Sequence, residues 1–358
     1  MRGFAEAPYA IGMDSITQIT LGSAVGVAVM GRRTAVWKAA LWGAIGGTLP
    51  DLDAFIDHGD AILNMTRHRA ESHSLLVLTL LAPAMAWLVS RLHREQALFK
   101  RWWLALWLVL ITHPLLDTMT VYGTQLLQPL TDHPFAIGSV FIIDPAYTLP
   151  LLFGVIAALC LKSGRGLAWN AAGLVISTLY LAWSFGAQQY VTHVARASLQ
   201  DQGIDAQGLL VTPAPFNTVL WRLVATTPTL YREGYYSLLD ADNHIEWTLH
   251  DRGAALMSQH GHDPYLARMA AFTHGFYSVS SERDHLFVTD LRMGQEPNYT
   301  FRFDLGADVS RVHGGHKPSL AGSRPDLERA LPWLWRRLWG ERVPPMSFVP
   351  EPARSPVP

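Results

Sequence analysis

Residues 166–192 run without a single Lys, Arg, Asp or Glu. About 20 apolar residues suffice to cross the hydrocarbon of a bilayer, and a run of this kind is costly to keep in water. Four more charge-free runs precede it, at 15–31, 74–90, 102–116 and 145–161. A sixth stretch, 34–50, holds only Lys38. Charged residues make up 16 % of the chain, well below the usual quarter. The expected fold is therefore an α-helical multi-pass membrane domain of about six segments. Several runs are short, and 15–31 and 34–50 are expected to be tilted or partly inserted. Gly22, Gly26, Gly43, Gly46 and Gly47 are small residues of the kind that let membrane helices approach closely. A buried hairpin in a soluble helical core is the competing reading of the shorter runs, and the length of 166–192 argues against it.

The loops set an expected orientation. Arg32, Arg33 and Lys38, then Arg91, Arg94, Lys100 and Arg101, then Lys162 and Arg165 alternate with the acidic loops 50–73 and 117–144. Basic loops stay in the cytoplasm, so the acidic loops and both termini are expected on the outer face. Met1–Gly12 lacks an apolar core followed by a small-residue cleavage site, so no cleavable signal is expected and residues 1–12 receive no role. The lone Cys160 excludes an intrachain disulfide and a Cys-rich zinc site.

From about residue 193 the charge density rises. Period-two alternation predicts strands at Thr218–Val224, Tyr235–Leu239, His244–Leu249, Phe276–Ser280, His285–Thr289 and Tyr299–Phe303. Short helices are expected at 263–274 and 325–340. The expected organisation is a membrane domain over 13–192, a small soluble α+β domain over 193–342, and a Pro-rich tail over 343–358.

Ligand-type residues gather at the ends of the apolar runs. They lie in Pro50-Asp51-Leu52-Asp53, His68-Arg69-Ala70-Glu71-Ser72-His73 and His113-Pro114-Leu115-Leu116-Asp117. Imidazoles and carboxylates at short spacing suit zinc, with iron or manganese as alternatives. His113 and Asp117 are four apart and share one face of a helix end. Asp51 and Asp53 are two apart, and an extended turn would present both the same way. His68 and His73 would diverge by about 140° on one helix, so His68 is expected in a loop and His73 at the start of the third segment. Taken singly, Asp51 reads as a cap or solvated turn, His68-Arg69 as a headgroup contact, and His113 as a packing residue. Their coincidence on one face favours metal binding by His68, His73, His113, Asp117, Asp51 and Asp53, since ionisable groups near a bilayer core are functional by default.

Further residues flank this set. Gln18 is expected to donate a hydrogen bond to it or to serve in helix packing. Asp144, just before Pro145, is expected to cap a helix or to support a ligand from outside. Arg69 would hold an anionic substrate group or pair with a neighbouring Asp. Asp53, Asp117 and Arg69 are the candidates for a catalytic role. One divalent ion, most simply zinc, would activate water. Two ions bridged by an aspartate would suit phosphoesters, and six candidate ligands exceed the needs of one tetrahedral zinc.

The ordered motifs Met13-Asp14-Ser15-Ile16-Thr17-Gln18, Pro50-Asp51-Leu52-Asp53, His68-Arg69-x-x-Ser72-His73-Ser74, His113-Pro114-Leu115-Leu116-Asp117, Tyr122-Gly123-Thr124-Gln125-Leu126 and Asp144-Pro145-x-Tyr147-Thr148 resemble the YdjM-type inner-membrane metal-dependent hydrolases of bacteria, described as LexA-regulated. The resemblance covers about residues 13–190. It extends to longer members through Pro213-x-Pro215-Phe216-Asn217 and Asp290-x-Arg292. It implies a multi-pass metal-dependent hydrolase with its metal residues at the six positions named above. Two departures stand out: Gln18 where many relatives carry His, and Ala70 where many carry Gly. A more distant likeness to zinc phospholipase C-type helical enzymes favours phosphoesters.

The expected function is hydrolysis of a phosphoester or lipid-linked substrate at the outer membrane–water boundary. The expected partners are the bilayer and a small-molecule or lipid-linked substrate. The alternative is a non-catalytic metal-binding scaffold, sensor or transport protein. A transporter needs ionisable groups near mid-span, and these crowd one end. Nucleic-acid binding has no support, because the net charge is −1 and no basic stripe is present.

Overall fold

The computed structural model describes residues 11–161, 164–307 and 317–348, with the side chains of 11–14 not described. Most of the expected extension at 1–12, the loop residue Lys162 and the tail beyond 348 lie outside the described residues. The chain divides into two compact units. One comprises residues 1–189 with 215–218, and the other 190–214 with 219–358.

Each apolar run forms a helix. The first unit contains α1 (Ile11–Met30), α2 (Val36–Thr48), the short α3 (Ala61–Arg67), α4 (Leu75–Leu92), α5 (Phe99–Thr118), α6 (Pro145–Cys160) and most of α7 (Gly164–Asp201). Among the described residues, only α4 and α7 are long and apolar enough to cross a bilayer; α1 from Ser15 onward and α6 are apolar but shorter. The expectation of about six spanning segments thus reduces to two helices that meet the requirement by length and composition. The reason is geometric: α2 has 13 residues, about 20 Å of helix at 1.5 Å per residue, against a hydrocarbon core of about 30 Å. In α5, Lys100 and Arg101 at one end and Asp117 at the other shorten the apolar part. A charge-free run marks a helix here, and it overstates how many are of crossing length.

Packing follows from side-chain size. α1 lies against α2, α5 and α6, and α4 against α5. A Cβ on Gly22 would come within 2.2 Å of the Gly43 carbonyl oxygen, and one on Gly47 within 2.5 Å of the Gln18 carbonyl oxygen. Backbone contact between α1 and α2 therefore requires glycine at these positions. Val27, Met30, Ala39, Leu78, Ala82, Trp102, Leu106 and Leu110 form one buried cluster, and Leu21, Val109, Leu116, Tyr147 and Leu151 another. Leu80, Trp87, Phe153 and Leu179 point outward and are well exposed. An apolar exterior over a packed interior suits hydrocarbon surroundings.

The second unit contains two four-stranded antiparallel sheets. The first is ordered β1 (Gly208–Pro213), β2 (Leu220–Thr226), β3 (Leu230–Ser237), β4 (Thr248–Asp251). The second joins β5 (Tyr277–Glu282), β6 (His285–Asp290), β9 (Arg302–Ala307) and β10 (Ser319–Leu320), in the order β10-β9-β6-β5. β7 (Gly294–Gln295) and β8 (Asn298–Tyr299) make a small hairpin. Helices α8 (Ala254–Gln259), α9 (Pro264–Phe272) and α10 (Leu327–Leu338) complete the described residues. The predicted helices at 263–274 and 325–340 correspond to α9 and α10. β1 was not anticipated, and of His244–Leu249 only Thr248 and Leu249 are strand.

Candidate metal centre

Three chain segments meet at one end of the helical unit. α2 stops at Thr48, and Pro50–Phe55 then form a 3-10 turn carrying Asp51 and Asp53. Proline favours this start, because its fixed φ fits the first helical position. A second 3-10 turn, Glu71–His73, precedes α4, whose N-cap is Ser74. The last turns of α5 carry His113 and Asp117 one above the other.

One ligand atom from each of Asp51, His73, His113 and Asp117 lies within 4.8 Å of the others. Among the described residues it is the one His/Asp grouping that does so. His73 Nε2 stands 3.1 Å from His113 Nε2, 3.2 Å from Asp117 Oδ2 and 3.4 Å from Asp51 Oδ1. His113 Nε2 stands 3.3 Å from Asp117 Oδ2 and 3.4 Å from Asp51 Oδ1. His73, His113 and Asp117 are buried, and Asp51 is the most open of the four.

The outer nitrogens fix how the rings present themselves. His113 Nδ1 is 2.6 Å from the carbonyl oxygen of Gly47, a group that can only accept. Nδ1 therefore carries a proton, and Nε2 can turn a lone pair inward. Ser72 Oγ donates to Asp53 Oδ2 at 2.5 Å, which leaves it to accept from His73 Nδ1 at 2.8 Å. His73 Nε2 can then also face inward with a lone pair. Asp51 Oδ1 and Asp117 Oδ2 are buried and accept no hydrogen bond. With both rings neutral, two imidazole lone pairs and two carboxylate oxygens converge without a donor and repel one another unless a cation, either a metal ion or a ring proton, sits among them. These residues fit a divalent metal, and a mixed N/O set fits zinc, iron or manganese.

When no metal ion is bound, a proton on His73 supplies that positive charge. Burial favours the neutral ring of His73, yet Asp117, Asp51 and Asp53 outweigh it and raise its pKa to about 10. Burial pushes Asp51 up, and the facing imidazoles of His113 and His73 more than offset it, holding the carboxyl below the usual carboxylate range. Asp53 is held down in the same way by His68 and His73.

The remaining residues divide around this group. Asp53 and His68 pair with each other at 2.8 Å and stand outside the foursome. Asp53 Oδ2 also accepts from the Arg69 backbone N–H at 3.0 Å, so its oxygens are already engaged. The two aspartates diverge because the segment is a 3-10 turn rather than an extended one: at three residues per turn, positions two apart point about 120° away from each other. His68 caps α3 in an extended conformation and stays partly exposed. Gln18 Nε2 donates to Asp117 Oδ1 at 2.9 Å, on the oxygen facing away from the histidines. Arg69 Nη2 lies 3.4 Å from Asp117 Oδ1, Nη1 donates to Thr120 Oγ1, and the guanidinium sits over the Tyr122 ring. Arg69 is thus a buried counter-charge to Asp117. Arg69 takes the positive φ of 65° in this turn, and the φ of Ala70 is −94°. Asp144 caps α6 through the Ala146 N–H and accepts from Tyr180 Oη, and is not among the four. Ser72 and the Gly47 carbonyl carry no metal-ligand signature in sequence, although Ser72 adjoins His73.

Residues 13–191 match the family model described as YdjM inner membrane protein. The chain belongs to this family. A relative is the uncharacterized protein YfhP of Bacillus subtilis (strain 168), 24 % identical over 328 residues, covering 87 % of this chain and 94 % of YfhP. No solved structure matches the chain. The YdjM match covers α1 to α6 and most of α7, and so includes every residue of the candidate metal centre. The likeness to YfhP runs through most of the sheet-containing unit as well.

Proposed function

We propose that this YdjM-family membrane protein is a metal-dependent hydrolase. The ion is held by Asp51, His73, His113 and Asp117, and the substrate is a phosphoester or lipid-linked ester. The observation that carries the reading is the convergence of two imidazole nitrogens and two buried, hydrogen-bond-free carboxylate oxygens on one point. Such an ion supplies Lewis acidity and activates water near neutral pH. Zinc is the first choice, and a single ion is favoured because Asp53 and His68 are engaged with each other.

Each residue then has a distinct task. Asp117 is oriented by Gln18 and charge-balanced by Arg69. His73 is oriented through Ser72 and Asp53, and His113 through the Gly47 carbonyl. His68, paired with Asp53, partly exposed, and with its ring 6.0 Å from that of His73, is the proposed proton-transfer group. Asp51 marks the more open approach for substrate. The basic loops support a multi-pass topology with this end of the helices on the outer side of the inner membrane.

One observation favours a second reading. Four protein donors fill a tetrahedral zinc, and closed zinc sites are commonly structural. A non-catalytic metal sensor or scaffold would use the same four residues. Turnover separates the two. Purified protein loaded with zinc, manganese or iron should hydrolyse at least one member of a phosphodiester and phospholipid panel, and His68→Gln should lower kcat while leaving metal content intact. A metal-loaded protein inactive across the panel would favour the sensor.

A further inference from the structure

Among the described residues, the second unit carries an apolar face that its own fold does not cover. Helix α10 is anchored by Arg337, which donates to both Asp240 carboxylate oxygens and to the Tyr235 carbonyl, and by Trp333, whose ring lies 4.8 Å from Tyr235. The opposite face bears Leu327, Leu331 and Trp335, continued by Trp339 just past the helix end. They are 65 %, 48 %, 63 % and 59 % exposed. A spacing of four rotates each position by about 40° relative to the last, so the four side chains form one continuous band. Arg329 and Arg336 follow at one border. Leu239, itself exposed, adjoins the far end, where a Cβ on Gly340 would come within 2.6 Å of its carbonyl oxygen.

Leucine and tryptophan displayed in water are costly, and a band of this kind marks a binding surface. Tryptophan favours the headgroup level of a bilayer, where its ring is apolar and its N–H is wet. This chain belongs to an inner-membrane family and continues into the sheet unit directly from α7, which is long and apolar enough to cross. The sheet unit is therefore joined in sequence to a helix of bilayer-crossing length and composition. We propose that the Leu327–Leu331–Trp335–Trp339 band is a lipid-docking surface that lies in the membrane interface, in the manner of an interfacial amphipathic helix.

The test uses the full-length protein in lipid nanodiscs. Cys160, the sole cysteine, is replaced by Ser, and nitroxide labels are placed at Leu331→Cys, at Trp335→Cys, and at Ser281→Cys as an exposed control on β5. The ratio of collisions with lipid-soluble oxygen to collisions with an aqueous nickel chelate should be several-fold higher at 331 and 335 than at 281. Equal ratios at all three sites would overturn the proposal. Protection of 331 and 335 from both reagents would overturn it too, in favour of a protein partner or a second copy of the chain.

Discussion

His73 and His113 each hold a proton on the side away from the cluster, and that detail decides what the cluster can bind. Ser72 and Asp53 fix one ring and the Gly47 carbonyl fixes the other. Supporting groups of this type typically contribute 10- to 100-fold to metal affinity. Asp53→Asn should therefore weaken metal binding by about that factor without removing any of the four donors, as measured by competition with a chromophoric chelator. Protons compete for the same space. The raised pKa of His73, about 10 against the usual 6.5, means that its carboxylate neighbours stabilise the metal-free fold fully below pH 6.5. That contribution is lost as pH rises toward 10. Metal binding runs the other way, because the ligand nitrogen must be deprotonated. Binding near neutral pH should release protons, and affinity should climb from about pH 7 to 9. Calorimetry in buffers of different ionisation enthalpy reads this directly, and the absence of proton release would remove His73 from the ligand set.

At the scale of elements, the glycine-lined contact of α1 with α2 places Gln18 and Gly47 beside His113 and Asp117. Gly43→Ala would drive a methyl group to 2.2 Å from the Gly22 carbonyl oxygen. Overpacking of this kind costs about 1–3 kcal/mol, and a lower thermal midpoint in detergent together with weaker metal binding is the expected result. The glycines, the six helices and the spacing of His113 and Asp117 were legible in sequence, because each depends on a local pattern. The divergence of Asp51 from Asp53 was not. Two carboxylates two residues apart point the same way in an extended turn and apart in a 3-10 turn, and the choice is made by Pro50 following directly on α2. Arg69 was ambiguous for a similar reason: its pairing with Asp117 joins residues far apart in the chain. The number of crossing helices was overstated, since absence of charge is visible in a sequence while helix ends are set by packing and caps.

At the scale of the whole molecule, all four donors lie in the helical unit. A chain ending after Thr218, which keeps the contact of Thr218 with Tyr180, should retain metal at the full-length level. Loss of metal from that chain while it remained folded would assign the sheet-containing unit a share in the site. The central claim is that Asp51, His73, His113 and Asp117 hold an ion, and the metal content of the intact protein tests it most directly. Full-length protein purified from membranes in mild detergent should carry a near-stoichiometric transition metal by plasma mass spectrometry, and His73→Ala and Asp117→Asn should each lose it while remaining folded. Equal metal content in the wild type and both variants would contradict the account, as would a folded wild type that takes up no zinc, iron or manganese.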